Sequence, residues 1–243
     1  MKSKYTKMHS NGNDFLITED SNQVAYTTQL ADRKKSIGFD QLLLIKNKRP
    51  YKIAVFNSDG SEAENCINGL RCIANLYNLK NQIISIKKNT FIVNKTTTGA
   101  TVKGSLPESC KHNDYYVINF GNNHLARELS DIESVNLSEL YQELKASGKF
   151  TRIKNFNLSI YQDFKDRIGI RTYENGAGET LSCGSATISV AYLIAKETNQ
   201  NKILFTSKGG PTKVYIDEDG IASEASTEII EEGFLNGWTE KKT

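Results

Sequence analysis

A unit of sequence that occurs twice constrains the fold of this chain more than any other feature. In each copy, two strand-like runs are followed by a loop of turn-forming residues and then by a cysteine. The runs QLLLIKN and YKIAVFN precede the loop SDGSEAEN and Cys66, and the runs NLSIYQ and RIGIRTYE precede the loop NGAGETLS and Cys183. The two cysteines lie 117 positions apart, close to half of the 243 residues, and Glu62 aligns with Glu179 without a gap. We therefore predict a duplicated α/β unit, with a period too long for a solenoid.

Each cysteine also precedes a segment with the periodicity of an α-helix. Apolar residues occur 7, 8 and 11 positions after each cysteine, on one helical face: Ile73, Ala74 and Tyr77 in the first copy, and Val190, Ala191 and Ile194 in the second. The segment 136–147 is a third predicted helix. We expect an α+β fold of two pseudo-symmetric α/β domains, each a sheet around a helix, with the active site in the cleft between them. The predicted domains are 1–113 and 114–243, and the last residues can pack back on the first domain.

Composition and charge argue against several classes of protein. The net charge is +3 and no block of Lys and Arg is flanked by aromatic residues, so we expect no nucleic-acid partner. No apolar run approaches the roughly 18 residues of a membrane span, and residues 1–20 do not resemble a signal peptide. We therefore expect a cytoplasmic protein without a membrane partner, in which the four cysteines are free thiols.

The sequence also lacks the patterns of common metal and cofactor sites. The three histidines, His9, His112 and His124, form no ligand pair with each other or with the cysteines. Neither a phosphate-binding loop nor a strand–GxGxxG–helix unit is present. We therefore expect no metal and no cofactor.

A thiol at the N-terminus of a helix has a distinct chemistry. The first N–H groups of a helix lack intrahelical acceptors and carry about half a positive charge, so they bind anions such as carboxylates. The same partial positive charge favours the thiolate, and we expect it to lower the pKa of both cysteines. Two such sites facing each other would hold an α-carboxylate with one sulfur on each side of the α-carbon. This arrangement suits inversion of an amino acid, in which a thiolate removes the α-proton and a thiol returns a proton to the opposite face.

Two other interpretations of the cysteines are open. Free cysteines usually pack as small apolar residues, and two facing thiols can also form a disulfide. The matching loops and glutamates favour the catalytic interpretation for Cys66 and Cys183. Cys72 and Cys110 belong to no such pattern, and we interpret both as structural.

Several motifs occur in the order found in one enzyme family. They are MHSNGNDF at 8–15, GFDQ at 38–41, FNSDGSE followed by CINGLRC within 56–72, GNNH at 121–124 and YENGAGETLSCGSA at 173–186. Through these motifs the chain resembles the diaminopimelate epimerase family over nearly its whole length. The resemblance implies a cytoplasmic, homodimeric isomerase of lysine and peptidoglycan precursor biosynthesis. Such an enzyme inverts the α-carbon of LL-diaminopimelate to give meso-diaminopimelate with a pair of cysteines and without pyridoxal phosphate.

The resemblance also implies roles for individual residues. The catalytic residues are Cys66 and Cys183, with His124 and Glu174 as acid/base partners that help to set which cysteine is charged. Substrate binding is divided between backbone and side chains. The N–H groups that hold the reacting α-carboxylate belong to Ile67, Asn68, Gly184 and Ser185, and the polar side chains that contact the substrate belong to Asn11, Gln41, Asn57 and Asn155.

Four positions depart from the family pattern. Ile67 replaces the glycine after the first cysteine, Asn123 replaces the proline of GNPH, and Ala186 replaces the last glycine of CGSG. Asn175, which we also expect to bind substrate, replaces the arginine that in the family pairs with the carboxylate at the far end of diaminopimelate. A neutral hydrogen bond in place of this ion pair would weaken binding by about 1.5 to 3 kcal/mol. Arg171 occupies its own usual place in the strand and does not obviously compensate.

Three functions are therefore open. The first is a diaminopimelate epimerase with a rebuilt distal pocket, in which another cation takes the place of the arginine. The second is a cofactor-independent racemase of the same fold that acts on another amino acid. The third is a ligand-binding relative without turnover, and the retention of both cysteines, His124 and Glu174 argues against it.

Overall fold

The computed structural model of the chain describes residues 2–153 and 155–236. Within these ranges the chain forms a 17-stranded sheet, four α-helices and a 3₁₀ helix at Ser21–Tyr26. The strands of the first half are β1 (Lys2–Ser10), β2 (Asn13–Thr18), β3 (Gln41–Lys48), β4 (Tyr51–Asn57), β5 (Gln82–Ile86), β6 (Asn89–Lys95), β7 (Gly99–Gly104) and β8 (Glu108–His112). Those of the second half are β9 (Tyr115–Phe120), β10 (Asn122–Glu128), β11 (Asn157–Asp163), β12 (Ile168–Glu174), β13 (Gly178–Thr180), β14 (Lys202–Ser207), β15 (Gly210–Asp217), β16 (Gly220–Ser226) and β17 (Glu228–Asn236). The helices are α1 (Thr27–Ala31), α2 (Ile67–Leu76), α3 (Leu137–Ala146) and α4 (Gly184–Thr198).

The first half of the chain forms a sheet that curls around α2. β1 pairs antiparallel with β2, β2 pairs parallel with β3, and the two predicted strands β3 and β4 form a hairpin through Arg49–Pro50. The chain then crosses through α2 to β5, which is parallel to β4, and β6 and β7 follow as antiparallel neighbours. α2 packs against β1, β2, β6 and β7. Ile73 and Ala74, on the predicted apolar face of α2, are fully buried.

The second half repeats this order of pairings around α4. β9 pairs antiparallel with β10, β10 pairs parallel with β11, and β11 and β12 form a hairpin. The crossover through α4 leads to β14, which is parallel to β12, and β15 and β16 follow as antiparallel neighbours. Val190 and Ala191 of α4 are fully buried. The predicted α+β fold of two pseudo-symmetric units, each a sheet around a helix, is therefore confirmed.

Two strand pairings link the halves. β7 pairs antiparallel with β16, so hydrogen bonding continues from one half to the other. β17 pairs antiparallel with β1. The predicted boundary between residues 113 and 114 falls at the turn of the β8–β9 hairpin, and the division into domains at this point stays a prediction.

One apolar core extends through both halves and fixes the two central helices. Leu70 and Ile73 of α2 belong to the same buried cluster as Ile188 and Val190 of α4. A second cluster packs α3, the third predicted helix, against β11 and the segment before it. The shared apolar core brings α2 and α4 into contact.

No helix in the described ranges is both long and apolar enough to cross a membrane.

Candidate active site

Cys66 occupies the N-cap of α2, directly before the first helical residue. Its backbone is extended, with φ −158° and ψ 90°, and ends the loop that leads from β4. The Sγ of Cys66 accepts a hydrogen bond from the N–H of Gly69 at 3.3 Å and donates to Oε1 of Gln41 at 2.9 Å. The thiol therefore takes the place of the side-chain oxygen that Ser, Thr or Asp usually supplies at an N-cap.

Two predicted substrate-binding residues hold the Cys66 thiol in place. Gln41 begins β3 and Asn57 ends β4, and the hairpin register places them opposite each other. Nε2 of Gln41 donates to Oδ1 of Asn57 at 2.8 Å, and Nδ2 of Asn57 donates to Oγ of Ser61 at 3.0 Å. These bonds orient the Gln41 amide so that its oxygen faces Cys66.

Cys183 occupies the equivalent position at the N-cap of α4. Its backbone is also extended, with φ −116° and ψ 109°, and its Sγ lies 3.4 Å from Oγ of Ser185. The negative charge of Glu174, the last residue of β12, acts on the Cys183 thiol. Oε1 of Glu174 accepts a hydrogen bond from Oγ1 of Thr180 at 2.7 Å. Each cysteine therefore has a polar neighbour in the hairpin that precedes it.

The N-termini of α2 and α4 lie against each other. Nδ2 of Asn68 donates to the carbonyl oxygen of Ser182 at 3.1 Å, and Oδ1 of Asn68 accepts from Nη1 of Arg71 at 2.7 Å. A Cβ on Gly184 would lie 2.8 Å from Oδ1 of Asn68 and 2.8 Å from Cβ of Ile67, so the close approach requires glycine. Because first-turn N–H groups point out of a helix N-terminus, both helices direct donors toward the same space.

These residues line one cavity of about 400 Å³ between the two halves. Every predicted site residue lines it except Asn11 and His124. The predicted residues that the fold brings together here are Cys66, Cys183, Glu174, Gln41, Asn57, Ile67, Asn68, Asn155, Asn175, Gly184 and Ser185. Their roles in binding and catalysis stay predictions.

Burial sets the protonation of the two thiols. It raises the pKa of Cys66 to about 12, although the N–H of Gly69 and the charge of Arg71 act in the opposite direction. Burial, followed by the charge of Glu174, raises the pKa of Cys183 well above its usual value. We expected the helix N-termini to lower both thiol pKa values, and this prediction is wrong: the effect of burial is larger, so both pKa values are raised. Burial also raises the pKa of Glu174.

Asn11 and His124 lie outside the lining of the cavity. Asn11 adopts a left-handed backbone, with φ 50°, and its Nδ2 donates to the carbonyl of Pro211 and to Oγ1 of Thr212. His124 on β10 is fully buried, and neither ring nitrogen has a hydrogen-bond partner among the described residues. Burial lowers the pKa of His124 to about 4, so the ring is neutral at pH 7. The substrate-binding role of Asn11 and the catalytic role of His124 stay predictions.

The cavity also contains polar residues that the sequence analysis did not single out, and Asn157 is the clearest case. Asn157 begins β11 as Gln41 begins β3, and its Oδ1 accepts the N–H of Asn175 at 3.0 Å. Gln41 lies opposite Asn57 in the first hairpin, and the register of the second, continued by one position, places Asn157 opposite Glu174, so the second hairpin is one residue longer. The fixed offset of 117 therefore pairs Gln41 with Leu158 and misses Asn157. The other such residues include Asn13, Glu64, Asn65, Asn122 and Ser182.

The lining of the cavity is rich in amides and carries acidic side chains. Among the described residues that line it, three are glutamates and none is Lys or Arg. Glu62 and Glu64 lie in the loop before Cys66, and Glu174 lies beside Cys183. Across the part of the chain that the structure describes, no three His, Cys, Asp or Glu side chains cluster closely enough to hold a metal ion. The positive potential for binding a carboxylate therefore comes from the two helix N-termini.

Comparison with known proteins identifies relatives over most of the chain. The family described as diaminopimelate epimerase matches residues 5–114 and 116–228. A diaminopimelate epimerase of Wigglesworthia glossinidia brevipalpis is 34% identical over 225 residues, which are 75% of this chain and 80% of that protein. A diaminopimelate epimerase of Legionella pneumophila (strain Lens) is 31% identical over 227 residues, which are 77% of this chain and 81% of that protein.

Solved structures share the fold at low sequence identity. A putative phenazine biosynthesis PhzC/PhzF protein from Clostridium difficile superposes with a TM-score of 0.72 at 11% identity, over 96% of this chain and 99% of that chain. A probable proline racemase from Agrobacterium radiobacter superposes with a TM-score of 0.71 at 9% identity, over 99% of this chain and 94% of that chain. These likenesses show the fold alone. The sequence match extends over both halves and includes both N-cap cysteines, so the chain belongs to the diaminopimelate epimerase family and is an isomerase of the amino-acid epimerase class.

Proposed function

We propose that this protein inverts the α-carbon of LL-diaminopimelate to give meso-diaminopimelate, with Cys66 and Cys183 as the two bases and without a cofactor. The observation that carries the proposal is the placement of both cysteines at the N-caps of two pseudo-symmetric helices that border one cavity. The curated relatives described above are named diaminopimelate epimerases, which supports the choice of substrate.

The reacting α-carboxylate binds to the first-turn N–H groups of α2 and α4. These groups belong to Ile67 and Asn68 in one helix and to Gly184 and Ser185 in the other, and all four residues line the cavity. A carboxylate between two helix N-termini meets the positive ends of both helices. This position leaves the α-carbon between the two sulfurs.

Inversion then requires one thiolate and one thiol. The thiolate removes the α-proton, and the electron pair of the broken C–H bond passes into the α-carboxylate. The helix N–H groups stabilise the negative charge that develops on the carboxylate oxygens. The thiol on the opposite side donates its proton to the α-carbon, and the two cysteines have then exchanged their protonation states. The reverse reaction restores them.

The neighbours of the two cysteines indicate which cysteine is the acid and which is the base before the first turnover. Oε1 of Gln41 accepts a hydrogen bond from the Cys66 thiol, which keeps the proton on the sulfur and favours Cys66 as the acid. Glu174 acts electrostatically on Cys183, and burial raises the pKa of this carboxylate, so we assign Glu174 as the acceptor for the Cys183 proton. His124, kept on the family resemblance, would act as the second acid/base partner.

Exchange of the α-proton in heavy water tests the proposal directly. The protein would be incubated with LL-diaminopimelate and, separately, with lysine, glutamate and histidine, and the α-proton followed by NMR. We expect exchange and inversion with diaminopimelate. The Cys66→Ala and Cys183→Ala variants should each lose inversion, and full inversion by either variant would refute the two-base mechanism. A thiol-alkylating agent should abolish the activity, and bound substrate should slow the inactivation.

A second candidate function is racemisation of a different amino acid at the same two cysteines. It is favoured by Asn175 and by the lack of Lys or Arg among the described residues that line the cavity. The same experiment separates the two functions, because exchange with another amino acid and none with diaminopimelate would mark a changed specificity on an unchanged catalytic centre.

The family resemblance also supports a cytoplasmic homodimer. Both properties are part of the proposed function.

A further inference from the structure

A chain of side-chain hydrogen bonds leads from the buried Cys66 thiol to the exposed loop that follows β4. The Cys66 thiol donates to Oε1 of Gln41 at 2.9 Å, and Nε2 of Gln41 donates to Oδ1 of Asn57 at 2.8 Å. Nδ2 of Asn57 donates to Oγ of Ser61 at 3.0 Å, and the Ser61 hydroxyl donates to Oδ1 of Asp59 at 2.6 Å. All four bonds run in the same direction, with the donor on the side of the thiol and the acceptor on the side of the carboxylate.

The carboxylate at the end of the chain sets this direction. Hydrogen bonds from the hydroxyl and the backbone N–H of Ser61 lower the pKa of Asp59, so this exposed carboxylate is charged at pH 7 and can only accept. A hydroxyl that donates to Asp59 has only lone pairs left for Asn57, which must turn its amino group toward Ser61. Because an amide has donors on one side and an acceptor on the other, each amide then presents its oxygen to the next donor. The last of these oxygens is Oε1 of Gln41, which faces Cys66.

The second copy of the duplicated unit cannot form this chain. With the offset of 117 residues, Asp59 aligns with Gly176 and Ser61 aligns with Gly178. Both glycines have a left-handed backbone, with φ 86° and 84°, and neither has a side chain that could accept or donate a hydrogen bond. This sequence of hydrogen bonds is therefore possible only in the first copy.

The two cysteines consequently have different polar neighbours. Asn57, the last residue of β4, aligns with Glu174, the last residue of β12. The negative charge of Glu174 acts on the Cys183 thiol, whereas an amide oxygen accepts the hydrogen bond of the Cys66 thiol. An acceptor that is bonded to a thiol favours the protonated form of the sulfur.

We propose that Asp59, acting through Ser61 and the two amides, keeps an oxygen turned toward Cys66 and so makes Cys66 the proton donor of the resting enzyme. Asp59 and Ser61 are positioning residues in this role, because their hydrogen bonds reach the thiol only through the amides. Reversal of the chain would turn Nε2 of Gln41 toward Cys66, and this amino group would stabilise the thiolate instead. The inference rests on the proposed function, in which one thiol returns a proton to the α-carbon.

Four variants of the loop and one control test the proposal. Ser61→Ala and Asp59→Ala break the chain, whereas Ser61→Thr keeps the hydroxyl. Asp59→Asn removes the charge but keeps an oxygen that the backbone N–H and the hydroxyl of Ser61 can share. Asp163→Ala is the matched control, because Asp163 also accepts the backbone N–H of the residue two positions later, at the end of β11. Mass spectrometry measures the rate at which iodoacetamide modifies Cys66 in the free protein over a range of pH.

The expected result is a faster reaction of Cys66 wherever the chain is broken. Ser61→Ala and Asp59→Ala should raise the alkylation rate at a fixed pH by about tenfold, because a freed Gln41 amide can donate to the sulfur and lower the pKa of the thiol by about one unit. Ser61→Thr, Asp59→Asn and Asp163→Ala should stay within about threefold of wild type, since an exposed charge contributes little by itself.

Other influences on the Cys66 thiol are the same in all of these variants. Besides burial and the N–H of Gly69, the charges of Glu174, Arg71 and Asp40 act on its pKa, and none of these residues is replaced. Hydrogen–deuterium exchange of the backbone at 57–66 detects a general loosening of the loop, which would expose the thiol and also speed its reaction. We expect this exchange to be unchanged in Ser61→Ala.

Two results would overturn the proposal. One is a Ser61→Ala variant that reacts like wild type, or that reacts faster only together with faster backbone exchange at 57–66. The other is an equal increase in Asp59→Asn and Asp59→Ala, which would assign the effect to the charge alone. Because alkylation of the free protein needs no substrate, failure to invert LL-diaminopimelate with the expected alkylation rates would overturn only the proposed substrate.

Discussion

Arg71 is a fully buried guanidinium that lies behind the N-termini of α2 and α4. Nη1 donates to Oδ1 of Asn68 at 2.7 Å and Nη2 donates to Oγ of Ser223 at 2.7 Å. Burial lowers the pKa of Arg71 to about 10, so the group stays charged at neutral pH. Burying a charge without a carboxylate is costly. Through Asn68, which bonds the carbonyl of Ser182, Arg71 joins the starts of both helices, and its charge lowers the pKa of Cys66 against the effect of burial.

We therefore expect Arg71→Met to slow alkylation of Cys66 at a fixed pH and to shift the pH dependence of that reaction upward, because the thiolate loses a nearby positive charge. Each buried polar group left without its donor should cost about 1–3 kcal/mol of stability. Mass spectrometry of iodoacetamide-treated protein at several pH values measures the first effect. Arg71→Lys should retain part of the rate, and Arg127→Met, at a partly exposed arginine, is the control. An unchanged alkylation profile would show that Arg71 is only structural.

His124 gives a prediction for the pH dependence of folding. Its pKa is about 4 in the folded protein, below the ordinary value near 6.5, because burial opposes the charged ring. Between these two values the unfolded chain binds a proton that the folded chain does not, so stability is full above about pH 6.5 and falls as the pH drops toward 4. The loss amounts to about 3 kcal/mol. Denaturant unfolding of wild type, His124→Leu and His112→Gln at both pH values measures this loss. The free energy of unfolding should differ less between the two pH values in His124→Leu than in the other two proteins. An equal difference in all three proteins would contradict the assignment of the lowered pKa to His124.

The sequence predicted which residues belong to the site wherever a local pattern identifies them. The pairing of Cys66 with Cys183 follows from two loops of equal length, and each cysteine does start a helix. The direction of the thiol pKa shift was wrong, because burial depends on the whole fold and a helix N-terminus is a local feature. Asn157 was missed because the second hairpin is one residue longer than the first, so the offset of 117 that aligns the two loops does not hold before the hairpin turns.

At the scale of elements, the contact between α2 and α4 depends on one glycine. A Cβ on Gly184 would meet Cβ and Cγ2 of Ile67 at 2.8 and 3.0 Å. Ile67, which replaces a glycine of the family pattern, is buried in the core cluster and packs against this position. Ile67 therefore fits at this position because Gly184, which faces it, has no side chain.

We expect Gly184→Ala to separate the two helix N-termini and to lower kcat/KM by more than about tenfold, with a loss of about 1–3 kcal/mol in stability from overpacking. Removing the opposing side chain in Ile67→Gly/Gly184→Ala should recover part of both losses, because the methyl group then has room. Steady-state kinetics and thermal unfolding of the two single variants and the double variant form a double-mutant cycle. Additive losses would show that Ile67 and Gly184 do not interact as described.

The elements themselves were largely readable from periodicity. The hairpins before both cysteines, α2, α4 and the helix within 136–147 all form close to the predicted positions. The last residues were expected to pack on the first domain, but the registers of the β7–β16 and β1–β17 pairings were not predictable, because each joins segments more than a hundred residues apart with no local pattern that sets them.

At the scale of the whole molecule, β17 is the feature that a second copy of the chain would cover. Within the described residues β17 pairs with β1 alone, so its other edge presents unpaired backbone groups. It also carries exposed apolar side chains, with Ile229 54%, Ile230 48% and Phe234 65% exposed. An apolar edge strand on a protein that stays soluble as a monomer is unusual. The homodimer implied by the family resemblance would remove this surface from water.

We predict that Phe234→Glu weakens self-association by at least about tenfold, because a charge placed in an apolar interface must be desolvated when the dimer forms. Sedimentation equilibrium of wild type and variant over a range of concentrations measures the dissociation constants. Ile83→Glu, at a 53% exposed isoleucine on β5, is the matched control and should leave self-association unchanged. A dimer that resists Phe234→Glu but dissociates with Ile83→Glu would place the interface on the exposed face of the sheet at β5. If both variants and wild type are monomers at every concentration, β17 does not mediate a homodimer and the epimerase cavity is complete within one chain.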